Sequence, residues 1–162
     1  MAEKIKADNL ILSLDLVPSS CWFSNVRSHV TKAQWDHIRK QVYSEAWYVC
    51  EICGGEGKNH PVEAHEVWNY NDKNHIQKLE RMIALCPNCH SVKHFGLSTI
   101  RGIEDKAIKH FMVINKINKK KATKHIDEVF DLWRQRSQFK WNLDISILSN
   151  YGIDVKKLLA LK

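Results

Sequence analysis

Cys50-Glu51-Ile52-Cys53 and, after 32 intervening residues, Cys86-Pro87-Asn88-Cys89-His90-Ser91-Val92-Lys93-His94 are the stretches that decide how this chain folds. In each Cys-x-x-Cys pair one tight turn aims two thiolates at a single ion, and two such turns complete a tetrahedral zinc site. Gly54 and Gly55 follow the first pair, where a turn wrapped around a metal calls for positive φ. Cys21, the fifth cysteine, stands alone and is expected to be a buried thiol.

Between the pairs, Pro61–Trp68 is β-prone and Ile83–Leu85 is a short apolar run leading into Cys86. We read them as two strands of a small hairpin. Their connection is long and polar, through Asn69-Tyr70-Asn71-Asp72-Lys73-Asn74 and then a short helical stretch to Leu79. His90–Phe95 is expected to be a helix stopped by Gly96 as its cap. Upstream, Thr31-Lys32-Ala33-Gln34 has the form of a capping box. It opens a helix to about Ala46 with Trp35, Ile38 and Val42 on one face. Leu10, Leu12, Leu14 and Leu16 alternate within Asn9–Val17, a short strand or extended segment ending at Pro18.

Downstream, helices are expected over Ile103–Asn115, Ala122–Arg136 and Val155–Leu161, with a basic break at Lys116–Lys121. The stripes Ala107, Ile108, Phe111, Ile114 and Ile126, Val129, Phe130, Trp133 are packing faces. No Pro/Gly-rich linker interrupts the chain, so residues 1–162 read as a single α+β domain. It comprises an N-terminal segment and helix (1–49), a zinc core (50–96) and a basic helical extension (97–162).

Hydrophobic residues make up 44% and charged residues 27%, an ordinary globular balance. No run approaches the roughly 18 apolar residues of a membrane-spanning helix, and the first residues lack the apolar stretch and cleavage site of a signal peptide. A cytoplasmic protein without membrane attachment is expected. The formal charge of +7 is uneven: residues 1–49 carry +1, residues 50–102 carry 0, and residues 103–162 carry +6. A basic C-terminal third points to a polyanionic partner, most simply nucleic acid.

Three histidines stand in order around the zinc turns: His65 on the first strand, His90 directly after Cys89, and His94 four residues later. On a helix, residues i and i+4 lie on one face roughly 5–6 Å apart, close enough for two imidazoles to meet one ion. His29, His37, His60, His75, His110 and His125 have no such pattern, and no role is assigned to them.

Taken together, Cys50-Glu51-Ile52-Cys53, Glu63-Ala64-His65-Glu66-Val67-Trp68 and Ala84-Leu85-Cys86-Pro87-Asn88-Cys89-His90-Ser91-Val92-Lys93-His94 resemble an HNH endonuclease of the zinc-stapled, four-cysteine type. The resemblance covers residues 50–96, and more loosely the flanks around Cys21–Arg27 and Trp133–Ser137. It implies the ββα-metal fold, in which a hairpin and a helix grip one divalent ion that hydrolyses phosphodiester bonds in DNA, double-stranded DNA first. It also implies two registers. Either His65 is the water-activating base and Ala64 stands at the ligand position, or His65 is a ligand and Glu66 is the base. The second completes a His65, His90, His94 triad for Mg²⁺, Mn²⁺, Ni²⁺ or Zn²⁺, with His90 beside the chemistry. Lys116, Lys119, Lys120, Lys121, Lys124, Arg134 and Arg136 would hold the nucleic-acid backbone. Arg81 stands near the place of the family's middle asparagine, for which Asn69, Asn71 or Asn74 can substitute. That departure leaves an alternative, a catalytically inactive HNH scaffold that binds nucleic acid or protein. A metalloprotease fits less well, because no His-Glu-x-x-His occurs.

Overall fold

The computed structural model describes residues 9–160, so the terminal residues, including Leu161 of the expected last helix, lie outside the description. Helix α1, Lys32–Glu45, begins where the capping box puts it. Thr31 Oγ1 accepts from Gln34 N at 3.2 Å and Gln34 Oε1 accepts from Thr31 N at 2.8 Å. Each side chain satisfies a backbone donor that the first turn leaves open. Ile38 and Val42 are its buried residues.

Strands β1 (Glu63–Asn71) and β2 (Ile76–Leu85) form an antiparallel hairpin running from Glu63↔Leu85 to Asn71↔Ile76. The second arm is therefore much longer than the expected Ile83–Leu85, and no helical stretch leads to Leu79. The turn is short, fixed by Asn71 Oδ1 accepting from Asn74 N at 3.0 Å. His75 ends it in a left-handed conformation, φ 48°. A third strand, β3 (Asn142–Asp144), lies parallel to β2 in the order β1-β2-β3.

Helix α2 is Pro87–Lys93 and α3 is Phe95–Ile100, with His94 between them. Gly96 does not stop the first helix. His94 N–H donates to His90 O at 2.9 Å and Ser98 N–H donates to His94 O at 3.0 Å, so helical bonding resumes across the junction. The left-handed turn that ends this region falls instead at Gly102, φ 68°. Helices α4 (Glu104–Asn115), α5 (Lys119–Arg136) and α6 (Val155–Ala160) complete the set. The basic break is shorter than expected: Asn118 caps α5 by accepting from Lys121 N at 2.9 Å, so Lys119–Lys121 form its first turn.

The hairpin carries a core on each face. Leu12, Leu14, Ile83, Leu85, Val92, Phe95, Phe111 and Val129 pack the segment before Pro18 and helices α2, α4 and α5 on one side. Val26, Ile38, Val42, Leu79, Met82, Ala84, Ile145 and Leu148 pack α1 and the C-terminal segment on the other. Residues 9–17 are not a strand. Asn115 takes the place of a strand partner, accepting from Leu12 N at 3.0 Å and donating to Leu12 O at 2.7 Å. No helix among the described residues is long and apolar enough to cross a membrane.

Candidate metal centres

The first zinc turn is built by its own backbone. Cys50 N–H donates to Gly55 O at 2.9 Å and Gly54 N–H donates to Cys50 O at 2.8 Å, with Gly54 left-handed at φ 70°. Glu51 ties this turn to β2: one carboxylate oxygen accepts from Ala84 N at 2.9 Å and the other meets Arg81 Nη2 at 2.9 Å. Arg81 thus locks the turn to the hairpin. The second turn is the start of α2, where Pro87 suits the first helical position and the Cys86 sulfur accepts from Cys89 N at 3.5 Å.

The sulfurs of Cys50, Cys53, Cys86 and Cys89 all lie within 4.8 Å of one another, and none is in a disulfide. Cys53 Sγ and Cys86 Sγ are 3.6 Å apart. Sulfurs bound at about 2.3 Å to one tetrahedral ion would lie roughly 3.8 Å apart, so the cluster fits a zinc site. Without an ion the four sulfurs share protons unevenly: a hydrogen bond from Cys89 pulls the Cys50 thiol down to about 4, while burial pushes Cys86 up to about 11. Four such sulfurs ionise together only against a cation. His110, given no role by the sequence, has its Nε2 3.2 Å from Cys89 Sγ, placed to support that thiolate. Cys21 is buried, as expected.

The same clamp brings the three histidines together. His65 projects from β1, and His90 and His94 project from α2 and its end. Ring centroids lie 5.4 Å apart for His65–His90, 4.9 Å for His65–His94 and 4.5 Å for His90–His94. One donor atom from each lies within 4.8 Å of the others. Both ring nitrogens of His65 are buried without a hydrogen-bond partner. A buried polar group left in this way is costly unless something binds it, which fits a metal ligand. Burial, reinforced by the neighbouring rings, lowers His94 to about 3, and burial lowers His90, so both are neutral and ready to donate near pH 7.

Two carboxylates flank this cluster, and no sequence motif singles out either. Glu63 bridges His90 Nδ1 and His60 Nε2, the latter at 2.7 Å. Asp15, on the segment before Pro18, pairs with Lys93 Nζ at 2.9 Å and lies 3.7 Å from His65 Nε2, beyond hydrogen-bond reach. Burial alone would raise its carboxyl, yet Lys93 and His65 hold it well below the usual carboxylate range.

Glu66 does not join the cluster. Successive strand residues face opposite sides of a sheet, and Glu66 points away from His65. Its Oε1 accepts from Val26 N at 2.7 Å and its Oε2 from Trp68 Nε1 at 3.2 Å. Burial raises it to about 7. Asn71 and Asn74 are absorbed in the hairpin turn, at the end of the hairpin away from His65.

Of the expected backbone-binding cations, Lys116, Lys119, Lys120, Lys121 and Lys124 are exposed between the end of α4 and the second turn of α5. Arg134 is exposed and paired with Asp131. Arg136 differs: it forms a two-pronged bond to Asp72, 2.7 Å at each contact, and lies 4.7 Å over the Tyr70 ring. It fastens α5 to the hairpin turn. No family model, curated protein or solved structure matches the chain.

Proposed function

We propose that the chain is a metal-dependent endonuclease of the HNH type, hydrolysing phosphodiester bonds in DNA. The observation that carries this reading is the meeting of His65 with His90 and His94, from a hairpin and a helix pinned by four cysteines. His65, His90 and His94 would hold one divalent ion. When bound, such an ion polarises the scissile phosphate and acidifies the attacking water, so the water activation assigned to Glu66 needs no separate carboxylate. The clamped hairpin and helix hold the three rings in place before substrate arrives. Asp15 offsets positive charge beside His65, and Lys93 keeps Asp15 there. The lysines around the start of α5 draw the polyanion in.

The test is cleavage of supercoiled plasmid by the zinc-loaded protein across Mg²⁺, Mn²⁺, Co²⁺, Ni²⁺ and Zn²⁺. His65→Ala and His94→Ala should abolish metal-dependent cutting, and Glu66→Gln should retain it. Cutting that survives both histidine changes would exclude this assignment. One observation favours a second reading, a non-cleaving HNH-type scaffold that binds nucleic acid or protein: Arg81 stands near the asparagine position and is paired with Glu51. Elemental analysis separates the two. One zinc per chain and no further ion under any metal supports the scaffold, and a second ion lost in His94→Ala supports the enzyme.

A further inference from the structure

Glu63 stands two residues before His65 on β1, and therefore on the same face of the sheet. Both of its oxygens are engaged. Oε1 meets His60 Nε2 at 2.7 Å and Oε2 meets His90 Nδ1. His90 is thereby left with Nε2 as its free donor. Glu63 is not among the groups whose donor atoms converge within 4.8 Å, so it touches the ligand and not the ion position. The other nearby carboxylate, Asp15, is taken by Lys93. The converging donors are thus three imidazole nitrogens and no carboxylate oxygen among the described residues.

We infer that Glu63 is the positioning residue of the histidine site, fixing His90 with Nε2 toward the cluster, and that the site so built takes a transition-metal ion in preference to Mg²⁺. The inference rests on the histidine cluster being a metal site. A carboxylate on the outer nitrogen of a ligating histidine fixes its tautomer and ring orientation and raises its basicity. Imidazole suits zinc, nickel and their neighbours, whereas Mg²⁺ seeks oxygen ligands and dehydrates reluctantly. Glu63 does for His90 what a shared backbone bond cannot: it sets the ring about its own axis from the strand opposite.

The experiment is a Co²⁺ titration of protein whose cysteine site already holds zinc, read by calorimetry and by the visible absorption of cobalt. Wild type should bind one Co²⁺ with an imidazole-ligand spectrum, without the thiolate charge-transfer band that exchange at the cysteines would give. Millimolar Mg²⁺ should not displace it. Glu63→Ala should weaken Co²⁺ binding by about 10–100-fold and change the band shape. Glu63→Gln, whose amide oxygen still accepts from Nδ1–H, should fall between. Zinc content at the cysteines, unchanged in both variants, reports that the fold survives. Equal Co²⁺ affinity and spectrum in wild type and Glu63→Ala, or displacement by Mg²⁺ at comparable concentration, overturns the inference while leaving the metal site standing. A wild type that binds zinc at the cysteines and no Co²⁺ removes the metal-site reading and this inference with it.

Discussion

Asn115→Ala tests how the site is held shut. The segment that carries Asp15 to the histidines makes no sheet pairing, and Asn115 supplies both hydrogen bonds of Leu12, at 3.0 and 2.7 Å. Leu12 is fully buried, so water cannot easily replace the missing partner. The Asn115 amide also donates to Phe111 O at 2.9 Å, but that carbonyl has its own helical donor and suffers less. Each buried backbone group orphaned this way costs about 1–3 kcal/mol, so two orphaned groups cost about 2–6 kcal/mol. That is a large part of the roughly 5–15 kcal/mol that holds a typical domain together. Either of two responses satisfies the reasoning. The whole chain loses stability in urea by about 2 kcal/mol or more, or the segment peels away alone. In the second case the Leu12 and Asp15 amides lose hydrogen-exchange protection while the hairpin keeps its own. The Asp15 amide is the sharper probe, because it donates to Lys93 O at 3.2 Å and sits beside the histidines. A loss below about 0.5 kcal/mol with exchange at both amides unchanged would refute the account, since surface substitutions alone give effects of that size.

Three further substitutions have expected outcomes. Glu66 is a half-buried acid whose folded value is raised from 4.5 to about 7. The folded state therefore holds a proton there that the unfolded chain has already released, and the associated stability is present below pH 4.5 and is lost as pH rises toward 7. Glu66→Gln should flatten that part of the urea-stability profile and leave metal-dependent cleavage within a few-fold of wild type; a loss of cleavage equal to that of His65→Ala would restore Glu66 to the chemistry. Replacing Lys119, Lys120 and Lys121 by alanine should reduce the salt slope of DNA binding by up to about 2.7, at roughly 0.9 for each phosphate no longer neutralised. Arg136→Ala, measured alongside, should leave that slope unchanged and lower stability, because its charge is spent on Asp72.

What the sequence could and could not reveal divides along one physical line, the range over which each signal acts. The zinc turns, the Thr31 cap and the helix stripes are local patterns, and an α+β fold with a four-cysteine cluster was legible from them. The length of β2 was not. A bulge opposite Val67/Trp68 inserts one residue, so the face shared by Gln77 and Leu79 passes to Met82 and Ala84, and the alternation that announces a strand is broken in mid-course. The stretch to Leu79, with Lys78 in it, then reads as helical, and the charged residues Glu80 and Arg81 read as part of the polar connection. β3 is three residues long and depends wholly on its neighbour. The candidate site divides in the same way. His90 and His94 are read from spacing, and His65 from its place before the second zinc turn. Strand alternation also puts Glu66 on the face away from His65 and Glu63 on the same face, because residues one apart point to opposite sides of a sheet and residues two apart to one. Asp15 had no such signal: only the packed core brings it from the far end of the chain to His65, and Lys93, between the two helical histidines, is what keeps it there. A cluster of three rings so enclosed is flanked by those two carboxylates, and each of them is already held by a cation or a histidine. Charge brought into the middle is therefore met by groups that need not move, which is the condition under which a buried site binds an ion without first rebuilding itself.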